Sequence, residues 1–201
     1  MKKKLMALAL CTIIAVMAIA GSSLAWLQDT TGTVTNTFTE GKVDIDLYEH
    51  DYLPDSNTLD TNSKVMANDD YKMVPGKVLP KDPTVEVLAV SEACWLFVKV
   101  EENATVDTFL TYAIDDSVWT ALDATKYPGV YYIKVEDTDA LQTFNVLANK
   151  QVTVKTDVEM DDMTGLTEAT RPQLKFTAYA IQQLGFNAPE AAWLEVSKAG
   201  N

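Results

Sequence analysis

His50 is the single histidine of this chain, so any Ser-His-Asp or Cys-His relay would have to run through it. It stands in Glu49-His50-Asp51 with no HExxH and no second histidine to complete a zinc site. A lone histidine between two acids predicts a solvated side chain rather than a base or a metal ligand. The acidic stretches Asn68-Asp69-Asp70, Asp115-Asp116 and Glu159 to Asp162 offer oxygen donors, but none has the alternating ligands and glycine of an EF-hand loop. They read as solvated acidic faces. The eight glycines are scattered singly, so no phosphate-cradling loop is present. No cofactor is expected, and the chain reads as a non-enzyme.

The amino terminus carries an address. Lys2-Lys3-Lys4 precedes an apolar run from Leu5 to Ala20 and then Ser22-Ser23-Leu24-Ala25, the three-part layout of a secretory signal peptide. The run is shorter than the roughly 20 residues a spanning helix needs. Residues 1–25 are therefore expected to be removed between Ala25 and Trp26 by a signal peptidase, leaving 26–201 as one domain outside the membrane. Loss of the three lysines takes the formal charge from -13 to -16. Such a surface repels phosphate backbones and anionic lipid heads, so neither nucleic acid nor a membrane is an expected partner. A hydrophobic content of 47% still supplies a packed core. Of the two cysteines, Cys11 lies in the leader, so Cys94 has no intramolecular partner and the fold must hold by packing.

The remainder is patterned as β-structure. Val43, Ile45 and Leu47 alternate with Lys42, Asp44 and Asp46, and Val152, Val154, Thr156, Val158 and Met160 alternate with polar neighbours. In Cys94-Trp95-Leu96-Phe97-Val98-Lys99-Val100 the even positions share one face, which makes Cys94 a small buried hydrophobe. Further strands are predicted over 84–90, 109–114, 130–135, 143–147 and 174–182, the last with Leu174, Phe176, Ala178 and Ala180 on one face. Eight or so short strands between polar turns point to an all-β, jelly-roll-like antiparallel sandwich. One helix is predicted over 188–198, with Asn187 as its cap, Pro189 in the first turn and an apolar stripe of Ala192, Trp193 and Val196.

Residues 48–83 hold four of the seven prolines, Pro54, Pro75, Pro80 and Pro83, among several Asp and Asn. That composition predicts a proline-rich surface insertion through which no regular strand or helix persists.

Ser23-Leu24-Ala25-Trp26-Leu27-Gln28-Asp29-Thr30, followed by Val34-Thr35-Asn36-Thr37-Phe38-Thr39-Glu40-Gly41-Lys42-Val43-Asp44-Ile45-Asp46-Leu47, resembles the amino-terminal region of the TasA/CalY (camelysin) family. The leader is similar to those cut by the SipW-type signal peptidase. Val74-Pro75-Gly76-Lys77, Tyr131-Tyr132 and Phe176 to Gln182 extend the likeness along the chain. The resemblance implies a secreted jelly-roll-like protein of a Gram-positive-type bacterium that assembles with copies of itself, and with other matrix proteins, into biofilm matrix or cell-surface fibres. It also implies donor-strand exchange, in which the mature amino terminus of one subunit completes a sheet of the next.

The residues are suited to that role. Segment 26–39 is rich in β-branched threonine and carries spaced apolar anchors at Trp26, Val34 and Phe38, so it can add to an open edge through main-chain hydrogen bonds. Camelysin is described as a metalloprotease, but this chain has no zinc-protease motif. A monomeric surface adhesin or ligand-binding module, touching its partner through 48–83, is the alternative to a fibre subunit.

Overall fold

The computed structural model describes residues 41–199. The expected signal peptide, the expected Ala25/Trp26 cleavage junction and the candidate donor segment 26–39 with Trp26, Val34 and Phe38 lie outside the described residues.

Where apolar residues alternate longest, the strands are longest. The described residues form β1 (Ile45–Leu53), β2 (Thr58–Val65), β3 (Val78–Pro80), β4 (Thr84–Val87), β5 (Cys94–Glu102), β6 (Leu110–Thr111), β7 (Thr120–Ala121), β8 (Val130–Val135), β9 (Gln142–Asn145), β10 (Gln151–Val154) and β11 (Leu174–Gln182). Helices are α1 (Val106–Phe109), α2 (Met160–Thr164) and α3 (Pro189–Ala199). All strand pairs are antiparallel and fall into three sheets, ordered β2-β1-β4-β9, β11-β5-β8-β7 and β3-β10-β6.

The two four-stranded sheets make an antiparallel β-sandwich. Val85 and Val87 of β4 meet Cys94, Leu96, Val98 and Val100 of β5 in its core, with Trp119, Val135 and Val146 beside them. Leu96 and Val98 are wholly buried, and each such aliphatic side chain contributes roughly 1.5–3 kcal/mol of transfer free energy. The odd positions of β5 serve a second core. Phe97 packs with Leu122, Val130, Ala192 and Trp193, so α3 covers the outer face of the β5 sheet and its stripe of Ala192, Trp193 and Val196 is spent there. This sheet is therefore apolar on both faces, which is why Trp95-Leu96-Phe97-Val98 reads as continuous rather than alternating.

Several expectations need correction. The segment 48–83 is not irregular, for it contains most of β1, all of β2 and β3, and reaches the residue before β4. Its prolines stand at strand boundaries: Pro54 opens the turn between β1 and β2, Pro75 precedes Gly76 in a turn, Pro80 ends β3 and Pro83 precedes β4. Proline there removes no ladder hydrogen bond that the sheet needs. Asn57 closes the β1–β2 turn with φ +53°, a left-handed position that asparagine tolerates. The strand predicted over 109–114 shrinks to the two residues of β6, because α1 occupies the residues before it. The long alternation from Val152 ends at Val154, where a turn at Thr156-Asp157 leads into α2. Helix α3 begins one residue later than expected; the Ala192 N–H donates to the Ala188 oxygen, which puts Ala188 rather than Asn187 at the cap.

Gly129 marks a close approach between β8 and β5. Its φ is +73° and an added Cβ would lie 2.4 Å from the Val100 carbonyl oxygen, whose own N–H donates to Gly129 O at 2.8 Å. Only glycine lets β8 start this close to β5.

Candidate functional site

Among the described residues, strand β11 has one edge with no strand partner. It pairs with β5 over all nine of its residues without a register shift, from Leu174 opposite Glu102 to Gln182 opposite Cys94. Among the described residues β5 is its one strand neighbour. The Gln183 N–H donates to Ala93 O and the Asn103 N–H donates to Gln173 O, so odd-numbered residues turn their main-chain groups toward β5. By the alternation of an antiparallel ladder, Leu174, Phe176, Ala178, Ala180 and Gln182 turn theirs away. Their side chains at 174, 176, 178 and 180 face the sandwich core yet are half-buried, as are Val43, Ile45 and Leu47 across the seam. Among the described residues, β11 thus presents a regular row of outward donors and acceptors beside half-buried core side chains.

A groove of about 460 Å³ sits at the Gln182 end of that row, lined by Gly41 to Val43, Glu92, Ala180 to Gln182 and Phe186. The chain therefore enters the described fold beside the β11 edge. The Glu92 N–H donates to Lys42 O at 2.9 Å, and the Asp44 N–H donates to the Ser91 hydroxyl at 3.2 Å, pinning this entry.

Farther along the seam the β1 sheet turns polar. Lys81 Nζ donates to both oxygens of Glu49, at 2.7 and 3.0 Å, with both side chains nearly buried, and lies 5.8 Å from the Phe176 ring centre. Asn68 spans the bulge between His50 and Asp51: its amide donates to Glu49 Oε2 and His50 O, and its oxygen accepts from the Tyr52 N–H. Tyr71 stacks on Tyr52 at 4.4 Å between ring centres; burial, reinforced by the Glu49 and Asp82 charges, pushes its hydroxyl well above the usual tyrosine range.

His50 belongs to this polar region and is not the solvated side chain expected of it. Its Nδ1 lies 2.6 Å from Asp82 Oδ2, its backbone N–H donates to Asp82 Oδ1 at 3.0 Å, and Asp82 is 3% exposed. A carboxylate can only accept, so Nδ1 carries the hydrogen. The sequence offered no signal for this partner, which stands 32 positions away. A His-Asp pair is two-thirds of a nucleophilic relay, but among the described residues no serine, threonine or cysteine side chain is bonded to the imidazole. The pair ties β1 to the strand entering β4. On the same face Glu86 accepts from the Tyr48 hydroxyl and from Lys64 Nζ, each at 2.9 Å.

The acidic stretches stay apart. No group of three or more His, Cys, Asp or Glu able to hold a metal ion occurs among the described residues, and Asp161 and Asp162 occupy the first turn of α2, where Asp162 closes a capping box with Glu159. No helix of the described residues is long and apolar enough to cross a membrane. Cys94 is wholly buried at the start of β5, and burial pushes its thiol up to about 11. No family model, curated protein or solved structure matches the chain.

Proposed function

We propose that this protein is an exported structural subunit that assembles into fibres of the extracellular matrix or cell surface, with residues 26–39 of one copy laid along β11 of the next. The observation that carries the reading is β11 itself. Natural edge strands are blunted by proline, bulges or repeated charge. β11 has no proline, an unbroken register and Lys175 as its single charged residue. Its core-facing side chains Leu174, Phe176, Ala178 and Ala180 are only partly buried, which leaves apolar surface for an added strand to cover.

The sequence supports the donor side of the same exchange. Trp26, Val34 and Phe38 are spaced to set register in a groove while threonines supply extended backbone. A leader cut between Ala25 and Trp26 would keep that terminus tethered until export, so polymerisation would begin outside the cell. The resemblance to the TasA/CalY family points the same way, and the action is non-enzymatic.

The test compares three chains by sedimentation and negative-stain imaging. A chain beginning at Trp26 should polymerise. A chain beginning at Glu40 should fold, because all eleven described strands remain, yet stay monomeric. In the chain beginning at Trp26, Ala178→Pro removes an outward N–H and spares the β5 ladder; it should keep its thermal midpoint within a few degrees and lose elongation. Normal fibres from the Glu40 chain would overturn the reading. A chain beginning at Trp26 that stays monomeric under all conditions would put the surface adhesin in its place.

A further inference from the structure

Val90 has φ +64°, and a β-branched residue in the left-handed region is strained. The loop around it is over-determined. The Val90 N–H donates to Thr138 O, Ser91 bridges Thr138, the Ser91 hydroxyl meets the Asp44 backbone and the Glu92 N–H donates to Lys42 O. These bonds stitch the β4–β5 loop to the β8–β9 turn and to the entry of β1. What the strained backbone displays is apolar: Val90 is 67% exposed, Leu141 of the β8–β9 turn 52% and Leu184 beyond β11 84%.

All three side chains lie at one end of the sandwich. β4 ends at Val87 opposite Gln142 and Ile45, while β5 begins at Cys94 opposite Gln182 and Val135. The described chain begins at the same end, with Gly41 beside Gln182. We infer that this end is a second contact between copies, docking against the subunit whose β11 takes up residues 26–39, an inference that rests on the strand-exchange reading.

The reach of the chain argues for it. If Phe38 anchors in the neighbour, the three residues from Phe38 to Gly41 span at most about 11 Å. So short a tether brings the neighbour against the loops that hold Lys42 and Asp44, which are the loops that display Val90. Glu92, Glu136, Asp137 and Asp139, in the same two loops as Val90 and Leu141, are exposed, so apolar and charged side chains are both on offer there, as an interface with an apolar centre and a polar rim requires. Strand addition supplies the link between copies, and this contact fixes the angle between them.

Two variants test it in the chain beginning at Trp26. Val90→Gly removes the side chain and relieves the left-handed backbone, so the thermal midpoint of the same variant in the chain beginning at Glu40 should be unchanged or raised. Leu184→Asp alters a side chain that the fold leaves exposed. Each should raise the critical concentration for polymerisation about tenfold, the effect of losing one well-buried aliphatic contact, and should yield bent or short fibres. A synthetic peptide spanning 26–39 should still bind both variants in the chain beginning at Glu40 as tightly as it binds the parent. Straight fibres at the parental critical concentration from both variants would overturn the inference and leave strand exchange standing. Absence of both peptide binding and polymer in the parent would overturn strand exchange, and this contact with it.

Discussion

Single residues of β5 show how one alternation assigns opposite fates to neighbours. Leu96 and Val98 enter the inter-sheet core and Phe97 the layer under α3, each wholly buried. Val98→Asp would place an unpaired carboxylate among Val85, Val87 and Trp119, and should lower unfolding free energy by several kcal/mol, on the order of 3–5, read as the shift of a urea midpoint at constant slope. Cys94 shares this environment. With its thiol pushed up to about 11 by burial, the thiolate is scarce at pH 8, and access is closed as well. A disulfide exchange reagent should react with the native protein at least about a hundredfold more slowly than with the urea-unfolded chain; equal rates would place the thiol at the surface. His50 was readable as isolated because its partner Asp82 is remote in sequence and only the approach of β1 to β4 joins them.

At the scale of elements, α3 decides whether the β5 sheet can be apolar on both faces. Trp193 is 6% exposed and packs 5.4 Å from Phe97 and 5.2 Å from Tyr179 between ring centres. Trp193→Ala should cost about 3–5 kcal/mol and expose a surface that binds a hydrophobic dye under native conditions; a loss below about 1 kcal/mol would show that α3 is a loose appendage. The helix was legible from Ala192, Trp193 and Val196, and β8 and β11 match their predicted bounds of 130–135 and 174–182. The β1–β2 hairpin was not. Its residues are polar and its prolines suggested interruption, yet each proline fell at a boundary, and Asn68, Tyr52 and Tyr71 close the bulge and cover the hairpin by contacts that no local pattern encodes.

For the whole molecule, buried tyrosines set an alkaline limit. Tyr71, Tyr112, Tyr48 and Tyr131 are all held above the usual tyrosine range, first by burial and then by the nearby Glu49 and Asp82, Glu102, Glu86 and Glu102 respectively. An unfolded chain releases these protons near pH 10 while the native one keeps them. The unfolded state then binds fewer protons, so the stability they contribute is fully present below about pH 10 and is lost as pH rises above it, by up to about 1.4 kcal/mol per pH unit for each tyrosine. Urea midpoints should be flat with respect to these groups up to pH 9 and fall steeply beyond pH 10, with the share of tyrosinate absorbance due to these four appearing only on unfolding. Ionisation of all eight tyrosines near pH 10 in the still-folded protein would refute it.

What the sequence by itself determined was the architecture, because alternation is a local property: a strand with one buried face must show it in its own residues, and the all-β sandwich with one terminal helix follows from several such strands. Cys94 as a core residue and the shared face of Leu174, Phe176, Ala178 and Ala180 follow from the same rule. What only the tertiary structure decided was pairing. That β11 has β5 as its one strand neighbour among the described residues, that His50 would meet Asp82, and that exposed Val90, Leu141 and Leu184 would fall at one end of the sandwich all depend on which strands become neighbours. Strand order is fixed by loop closure and by packing between residues distant in sequence, and a period-two pattern is the same for an edge strand as for the strand beside it.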